Sequence, residues 1–220
     1  MGKTQFMDDQ QQIWLASYPR SGNTFLRTIL WHCFELRTAS IYPNDLNGNR
    51  KLEQYVGHIE TPLNTIIKFP EGNLPIIKTH KLVSDDWPAI YVVRDGRAAS
   101  ISLWKFYDKT VPLQVIIEGE HQFGTWCNHV NSWHPWDRDK TLFIKYEDLV
   151  GNLPAVLVLL REFLNREIIK TEVPDRNAIA GVDGRWVKQK SDWRDDFSEK
   201  LLARFYEING EMMKKLGYLD

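Results

Sequence analysis

Four short apolar runs, separated by segments with helical periodicity, constrain the fold of this 220-residue chain more than any other feature. The runs are Ile13–Ser17, Leu74–Thr79, Ala89–Arg94 and Thr141–Tyr146. Each is too short for a helix and lacks strict alternation, which is typical of strands buried on both faces of a parallel sheet. Because strands that alternate with helices form such sheets, the sequence predicts an α/β fold with a central, mainly parallel sheet flanked by helices.

Apolar residues at three-to-four spacing predict the helices. Helices are expected after the first, third and fourth runs, between residues 123 and 133, and from 201 to 216. The length suits one domain over 1–220. Residues 1–12 are expected to be a flexible N-terminus. The irregular stretches 38–73, 108–122 and 173–197 are where such folds place substrate loops, and 173–197 is expected to be a mobile lid.

Composition limits the classes of partner. The chain is 43% hydrophobic and 26% charged, with a net charge of −1, which is typical of a soluble globular protein. This balance argues against a broad surface for nucleic acid or an anionic membrane. The two cysteines form no C-x-x-C motif, and neither a secretory signal nor a membrane-spanning run is recognisable. The sequence therefore predicts a cytoplasmic protein with no nucleic-acid or membrane partner.

The segment after the first run has the pattern of an anion-binding loop. Pro19, Ser21 and Gly22 form a tight turn, and Thr24 is expected to open a helix. Backbone N–H groups and the positive end of the helix dipole would converge on a negative group placed there. The loop therefore predicts a phosphate site.

The same loop differs from that of ATP- and GTP-binding proteins. Their motif reads G-x-x-x-x-G-K-[ST], whereas here Ser17 takes the place of the first glycine and Asn23 that of the lysine. Arg20 is the only cation in the loop. The loop thus suits a phosphate, but not a triphosphate held in the usual way.

Residues at the carboxyl ends of the predicted strands form a candidate site. The carboxyl ends of parallel strands lie along one edge, where ligands bind. We therefore expect one crevice to contain Arg20, Lys78, His80, Arg94 and Tyr146. Such a crevice would suit a multiply anionic ligand beside a titratable base.

Lys78 and His80 are candidate catalytic residues. Alternation along a strand puts both side chains on the same side. A neutral histidine can take a proton from an acceptor hydroxyl, and a lysine can neutralise charge on a transferring group. An ordinary structural pair is the alternative, but its position after a strand favours the functional interpretation.

A second anion site is predicted after the third run. Arg94 ends that run, Gly96 permits a turn, and Ser102 lies in the second turn of the next helix. A guanidinium and a hydroxyl together can bind a phosphate separate from the first. The alternative is a surface salt bridge between Arg94 and Asp95 that caps the helix. Arg97 is expected to be solvated.

These motifs together resemble the sulfotransferases. The segment Tyr18–Phe25 resembles their 5′-phosphosulfate loop, Lys78-Thr-His80 their catalytic strand end, and Arg94 with Ser102 their 3′-phosphate motif. The segments 125–133 and 143–149 resemble the helix and strand that follow in the same order. The resemblance covers roughly residues 13–165 and resumes near Asp192-Trp193.

The resemblance implies a fold related to nucleotide kinases, 3′-phosphoadenosine 5′-phosphosulfate (PAPS) as donor, and no metal. It implies that Ser21, Gly22, Asn23 and Thr24 hold the 5′-phosphosulfate, and that Arg20 replaces the usual lysine as a third catalytic residue beside Lys78 and His80. Lys78 would stabilise the sulfuryl group, and His80 would be the general base. The remaining implied donor contacts are Arg94 and Ser102 to the 3′-phosphate, and Phe25 and Tyr146 to adenine.

One segment departs from the family pattern. Many members carry Arg-Lys-Gly just before Gly-Asp-Trp, where it closes over the 3′-phosphate. Here Ser191 replaces the glycine before Asp192-Trp193, and Arg-Lys-Gly is absent in register. Arg185, Lys188 or Lys190 could supply the charge, and a solvated basic lid is the alternative.

The acceptor is left open by the sequence. A small-molecule or natural-product hydroxyl is expected, in preference to an amine, and a carbohydrate or peptide hydroxyl is also left open. Aromatic residues near the irregular stretches could favour a phenol, sterol or aryl ring, or could be packing residues: Trp104, Phe106, Tyr107 and Trp136. An ATP-dependent small-molecule kinase and a non-catalytic nucleotide-binding protein are the competing functions. The oligomeric state is not predicted.

Overall fold

A parallel sheet forms the centre of the molecule. The computed structural model describes residues 12–60, 66–182 and 192–219. Within these ranges the sheet has five strands in the order β2-β3-β1-β4-β5, and every neighbouring pair is parallel. The strands are β1 Ile13–Ser17, β2 Ala39–Ser40, β3 Ile76–Thr79, β4 Ala89–Val93 and β5 Thr141–Lys145.

The predicted α/β class and mainly parallel sheet are confirmed, with three differences in detail. Leu74 and Pro75 precede β3, Arg94 follows β4, and Tyr146 begins a helix. The edge strand β2 was not predicted, because two residues are too few to show a periodicity.

Helices cover both faces of the sheet. They are α1 Asn23–Phe34, α2 Arg50–Val56, α3 Gly96–Phe106, α4 Leu113–Glu118, α5 Trp126–Trp133, α6 Tyr146–Gly151, α7 Leu153–Leu164, α8 Arg176–Val182 and α9 Glu199–Lys215. The five predicted helices correspond to α1, α3, α5, α7 and α9. The four others contain only six or seven residues each, too few for a clear apolar stripe. None of the helices described is both long enough and apolar enough to cross a bilayer.

Two apolar cores result from the alternation of side chains along the strands. Leu15 and Ile90 point to the face covered by α1 and α7. Ala16 and Tyr91 point to the opposite face, which is covered by α3, α5 and α9. The central strands are therefore buried on both sides, which explains their continuous apolar runs.

The register of the sheet brings the strand ends together. Ser17 pairs with Val92, and Ala16 pairs with Thr79. The loops that follow β1, β3 and β4 consequently open at one edge of the sheet, as expected from the sequence.

Two regions named in the sequence analysis fall partly outside the described ranges. Of the predicted flexible N-terminus, residues 1–11 lie outside them, and of the predicted lid, residues 183–191 do. The described parts of the lid comprise α8 and a short 3-10 turn, Trp193–Asp195.

Candidate active site

A cavity of about 650 Å³ lies at this edge of the sheet. It brings together most of the residues predicted from the sequence. Among its lining residues are Arg20, Gly22, Asn23, Thr24, Phe25, Lys78, His80, Arg94, Ser102 and Tyr146. Ser21 lies within the same loop and is fully buried. Arg185, Lys188 and Lys190 lie outside the described residues.

The loop between β1 and α1 is held by Asn23, the residue that takes the place of a lysine in ATP-binding loops. Its side-chain amide donates hydrogen bonds to the Leu15 carbonyl, at 3.0 Å, and to the Ser17 hydroxyl, at 3.3 Å. The helix begins at Asn23, one residue before the predicted Thr24. The side chain at this position thus ties the loop to β1 rather than extending toward an outer phosphate.

Ser21 has an unsatisfied hydroxyl. Its Oγ atom is buried and has no hydrogen-bond partner among the residues that the structure describes. An unpaired buried hydroxyl is unfavourable, so such atoms usually have a partner supplied by solvent or a ligand. A ligand oxygen placed in the loop would provide one.

Arg20 and Arg94 bring the two predicted phosphate sites into direct contact. The Nε atom of Arg20 donates a hydrogen bond to the Ser102 hydroxyl at 3.2 Å, and its guanidinium lies 5.0 Å from the Phe106 ring centre. Arg94 donates to the Arg20 carbonyl at 3.1 Å and lies 4.5 Å from the ring centre of Tyr146. Arg20 therefore contacts a residue from each part of the second predicted anion site.

His80 is held as a neutral imidazole. Its Nδ1 atom lies 2.7 Å from the Ser17 carbonyl oxygen, which can only accept, so Nδ1 carries the proton and Nε2 keeps its lone pair. Burial and the neighbouring Lys78 cation lower the pKa of His80 well below its usual value. The ring stacks on Tyr42 at 5.7 Å and meets the edge of Phe123 at 6.0 Å. These contacts fix the ring with Nε2 as the basic nitrogen.

A buried pair behind His80 holds its backbone. His129 Nε2 donates to the His80 carbonyl at 3.2 Å, and the Tyr91 hydroxyl donates to His129 Nδ1 at 2.8 Å. Burial lowers the pKa of His129 to about 3, so this ring is also neutral. Neither residue was singled out from the sequence, since a histidine on an apolar helix face has the pattern of a core residue.

Lys78 is ion-paired with Asp45, a cavity residue that sequence reasoning missed. The lysine ammonium also lies 5.7 Å from the ring centre of Tyr42. Burial lowers the pKa of Lys78, and the Asp45 carboxylate acts in the opposite direction. Both Tyr42 and Asp45 come from the irregular stretch 38–73, where no motif or periodicity marks individual residues.

The expectation that Arg97 is solvated was wrong. Arg97 is 8% exposed and pairs with Asp95, which also accepts a hydrogen bond from the Arg97 backbone at the start of α3. Its guanidinium donates to the Tyr206 hydroxyl at 3.1 Å and lies 4.3 Å from a Trp193 ring centre. Asp95 therefore caps the helix, as the alternative interpretation held, but with Arg97 rather than Arg94 as its ionic partner.

The four aromatic residues that the sequence suggested as acceptor contacts fall into two groups. Phe106 and Tyr107 line the cavity. Trp104 and Trp136 are packing residues, partly buried against the core and covered by lysine ammonium groups at 4.4 and 3.6 Å from their rings. In the ranges that the structure describes, no three His, Cys, Asp or Glu side chains are grouped so that they could hold a metal ion.

Curated relatives of this chain are sulfotransferases. Sulfotransferase 1E1 of Mus musculus is 24% identical over 95% of this chain and 85% of its own length. The Rattus norvegicus protein of the same name is 27% identical over 91% of this chain and 82% of its own length. The match to the Homo sapiens protein, at 26% identity, covers 70% of this chain and 58% of the relative.

Solved structures share the fold. A mouse sulfotransferase, SULT7A1, complexed with PAP, superposes with a TM-score of 0.64 at 21% identity, over 96% of this chain and 86% of that chain. Retinol dehydratase in complex with androsterone and the inactive cofactor PAP superposes with a TM-score of 0.64 at 19% identity. The match covers 93% of this chain and 81% of that chain. At these identities the likeness establishes the architecture, which is that of the sulfotransferases.

The family model described as the sulfotransferase domain matches residues 10–178. This range contains the anion loop, the Lys78 and His80 strand end, and the Arg94 and Ser102 pair. The resemblance inferred from those motifs is confirmed, and the chain belongs to the sulfotransferase family of transferase enzymes.

Proposed function

We propose that this protein transfers a sulfuryl group from PAPS to the hydroxyl of a small-molecule acceptor. The observation that carries the proposal is the pairing of His80 and Lys78 at one strand end, beside an anion-binding loop. His80 is a neutral base with Nε2 as its basic nitrogen, and Lys78 is a cation held within the same cavity.

The loop residues fit an anionic donor. The Ser21 hydroxyl lacks a partner among the described residues, and Arg20 and Arg94 add two guanidinium groups. We assign the 5′-phosphosulfate to Ser21, Gly22, Asn23 and Thr24, with Arg20, and the 3′-phosphate to Arg94 and Ser102. The adenine contacts Phe25 and Tyr146 are part of the same proposal, as are Arg185, Lys188 or Lys190 at the 3′-phosphate. PAP in the two similar structures supports this class of donor.

Catalysis would depend on positioning and charge. The donor, when bound, supplies the activated sulfuryl group. His80 Nε2 would accept the proton of the acceptor hydroxyl. General-base catalysis of this kind accelerates a reaction by roughly 10²- to 10⁴-fold. Lys78 would stabilise negative charge that develops during transfer, and the loop would align the reacting groups. We propose no metal in this reaction, because these cations supply the charge.

The acceptor side of the cavity is largely aromatic. Tyr42 and Phe123 contact the His80 ring, and Phe106 and Tyr107 line the same cavity. These rings suit an acceptor hydroxyl carried on a flat or apolar frame. Androsterone in the retinol dehydratase complex is a ligand of that general kind. A cytoplasmic location is proposed on the same basis as in the sequence analysis.

A panel of hydroxyl acceptors with ³⁵S-labelled PAPS tests the activity directly, and His80→Ala tests the mechanism. The variant should lose most turnover while its affinity for PAP stays near that of the wild type. His134→Ala is the matched control, because His134 is an exposed histidine. An equal loss of PAP affinity in His80→Ala would make His80 a binding or structural residue instead.

Thermal unfolding distinguishes the competing kinase function. A nucleotide that binds the folded protein raises its melting temperature. PAP should stabilise this chain, and stabilisation by ATP with Mg²⁺ but not by PAP would contradict the proposed donor.

A further inference from the structure

A buried chain of charged and polar side chains extends from Lys78 away from the cavity. Asp45 accepts from Lys78 through one carboxylate oxygen and from Arg27 Nη1, at 2.6 Å, through the other. Arg27 is fully buried in α1, and Asp45 is 4% exposed. The catalytic lysine is thus connected to the interior by a carboxylate shared between two cations.

Arg27 is held in place by two further contacts. Its Nε donates to the Thr38 hydroxyl at 2.7 Å, and its Nη2 donates to His58 Nδ1 at 2.7 Å. A guanidinium bound on three sides has little freedom to move. Because Arg27 is fixed, it fixes Asp45, and Asp45 in turn fixes the Lys78 ammonium.

The charge on Lys78 depends on this arrangement. Burial favours the neutral amine, and the cations Arg27 and Arg20 act in the same direction. Asp45 opposes them. Burial alone would raise the pKa of Asp45, but Lys78 and Arg27 hold it below its usual range, so the carboxylate stays ionised.

We propose that Asp45 is a positioning residue that keeps the Lys78 ammonium charged and directed to the strand end beside His80. The part of this inference that concerns sulfuryl transfer rests on the proposed function. A neutral amine could not stabilise the developing negative charge, whereas the ion pair supplies a fixed cation. Asp45 acts through Lys78 and has no direct part in the transfer.

Other groups near Lys78 do not replace the carboxylate. His58 and His80 are neutral when buried, and burial likewise raises the pKa of the Tyr42 hydroxyl to about 12. The Tyr42 ring centre lies 5.7 Å from the ammonium and carries no charge. Arg27 and Arg20 are cations and therefore repel it.

The test compares the wild type with Asp45→Asn by two measurements. The first is the rate at which Lys78 reacts with acetic anhydride as a function of pH, followed by mass spectrometry without donor. Only the neutral amine reacts, so the midpoint should fall by about one to three pH units in the variant. The second is the pH profile of kcat, whose alkaline limb should move in the same direction.

Two further variants show whether a change in Lys78 reactivity comes from the loss of the Asp45 carboxylate itself. Arg27→Met combined with Asp45→Asn removes both members of the buried pair, so that no buried arginine loses its carboxylate partner. The reaction midpoint of Lys78 should again lie below that of the wild type. Asp137→Asn, at an exposed carboxylate, should leave both profiles unchanged.

The outcomes separate this inference from the proposed function. Unchanged Lys78 reactivity in folded Asp45→Asn overturns the role of Asp45, whatever the activity. A wild-type Lys78 that is already neutral at pH 7 overturns it without any variant. Shifted reactivity with no sulfuryl transfer to any acceptor would leave the electrostatic role intact and contradict the proposed reaction.

Discussion

Gly22, in the loop between β1 and α1, has a backbone conformation that favours glycine. Its φ angle is +103°, and a Cβ atom built there would lie 2.4 Å from Cδ2 of Tyr146. We therefore expect Gly22→Ala to displace either the loop or the Tyr146 ring, and to destabilise the fold by about 1–3 kcal/mol. Calorimetric titration with PAP should show a large loss of affinity.

Gly210 offers the matched control for that substitution. It lies within α9, where the nearest atom to a built Cβ is 3.9 Å away. Gly210→Ala should therefore raise the free energy of unfolding by about 0.5–1 kcal/mol and leave PAP affinity unchanged. Unchanged affinity in Gly22→Ala would show that the loop tolerates the clash and that its geometry does not limit donor binding.

Residues of the cavity could be predicted from the sequence where they lie at a strand end. Lys78 lies in β3, His80 and Arg94 directly follow β3 and β4, and a parallel sheet brings such positions to one edge. Asp45 was not predictable, because its role comes from a contact with Arg27, a residue 18 positions earlier in a helix. A buried arginine in an amphipathic helix carries no signal of its partner.

At the scale of elements, the long helices could be predicted from the sequence, but the hydrogen bond that joins α5 to α9 could not. Asn209 of α9 accepts a hydrogen bond from the Cys127 backbone N–H of α5 at 3.0 Å and donates to the Phe205 carbonyl at 3.1 Å. It is 1% exposed, although a lone asparagine in a helical stripe has the pattern of a surface residue. The N-terminus of α5 has orphan N–H groups, and a side chain from another helix satisfies one of them.

Asn209→Ala tests how much the hydrogen bond between α5 and α9 contributes to stability. Removing the amide leaves a buried backbone N–H unpaired, so the free energy of unfolding should fall by about 1–3 kcal/mol. Urea unfolding followed by circular dichroism measures the change. Asn128→Ala, at an exposed position of α5, should change it by about 0.5 kcal/mol or less. Equal effects of the two substitutions would mean that the α5–α9 hydrogen bond adds nothing to stability.

At the scale of the whole molecule, neutral buried histidines make the stability of the fold sensitive to acid. Burial and the Arg27 cation lower the pKa of His58 to about 4, and burial lowers that of His129 to about 3. The unfolded chain takes up these protons near pH 6.5, before the folded protein does. Stability from both groups is therefore fully present above pH 6.5 and is lost as the pH falls toward the folded pKa values.

His58→Asn isolates one of these contributions. The asparagine oxygen can still accept the Arg27 hydrogen bond but cannot be protonated in this range. Between pH 7.5 and 4.5 the wild type should lose about 2–3 kcal/mol more unfolding free energy than the variant, measured by urea titration at each pH. His134→Asn, at an exposed position, is the matched control. Parallel profiles for wild type and His58→Asn would mean that His58 is protonated in the folded state as readily as in the unfolded chain. Below pH 6.5 a protonated His58 could then no longer accept the Arg27 hydrogen bond, and one of the contacts that hold Arg27 beside Asp45 would be lost.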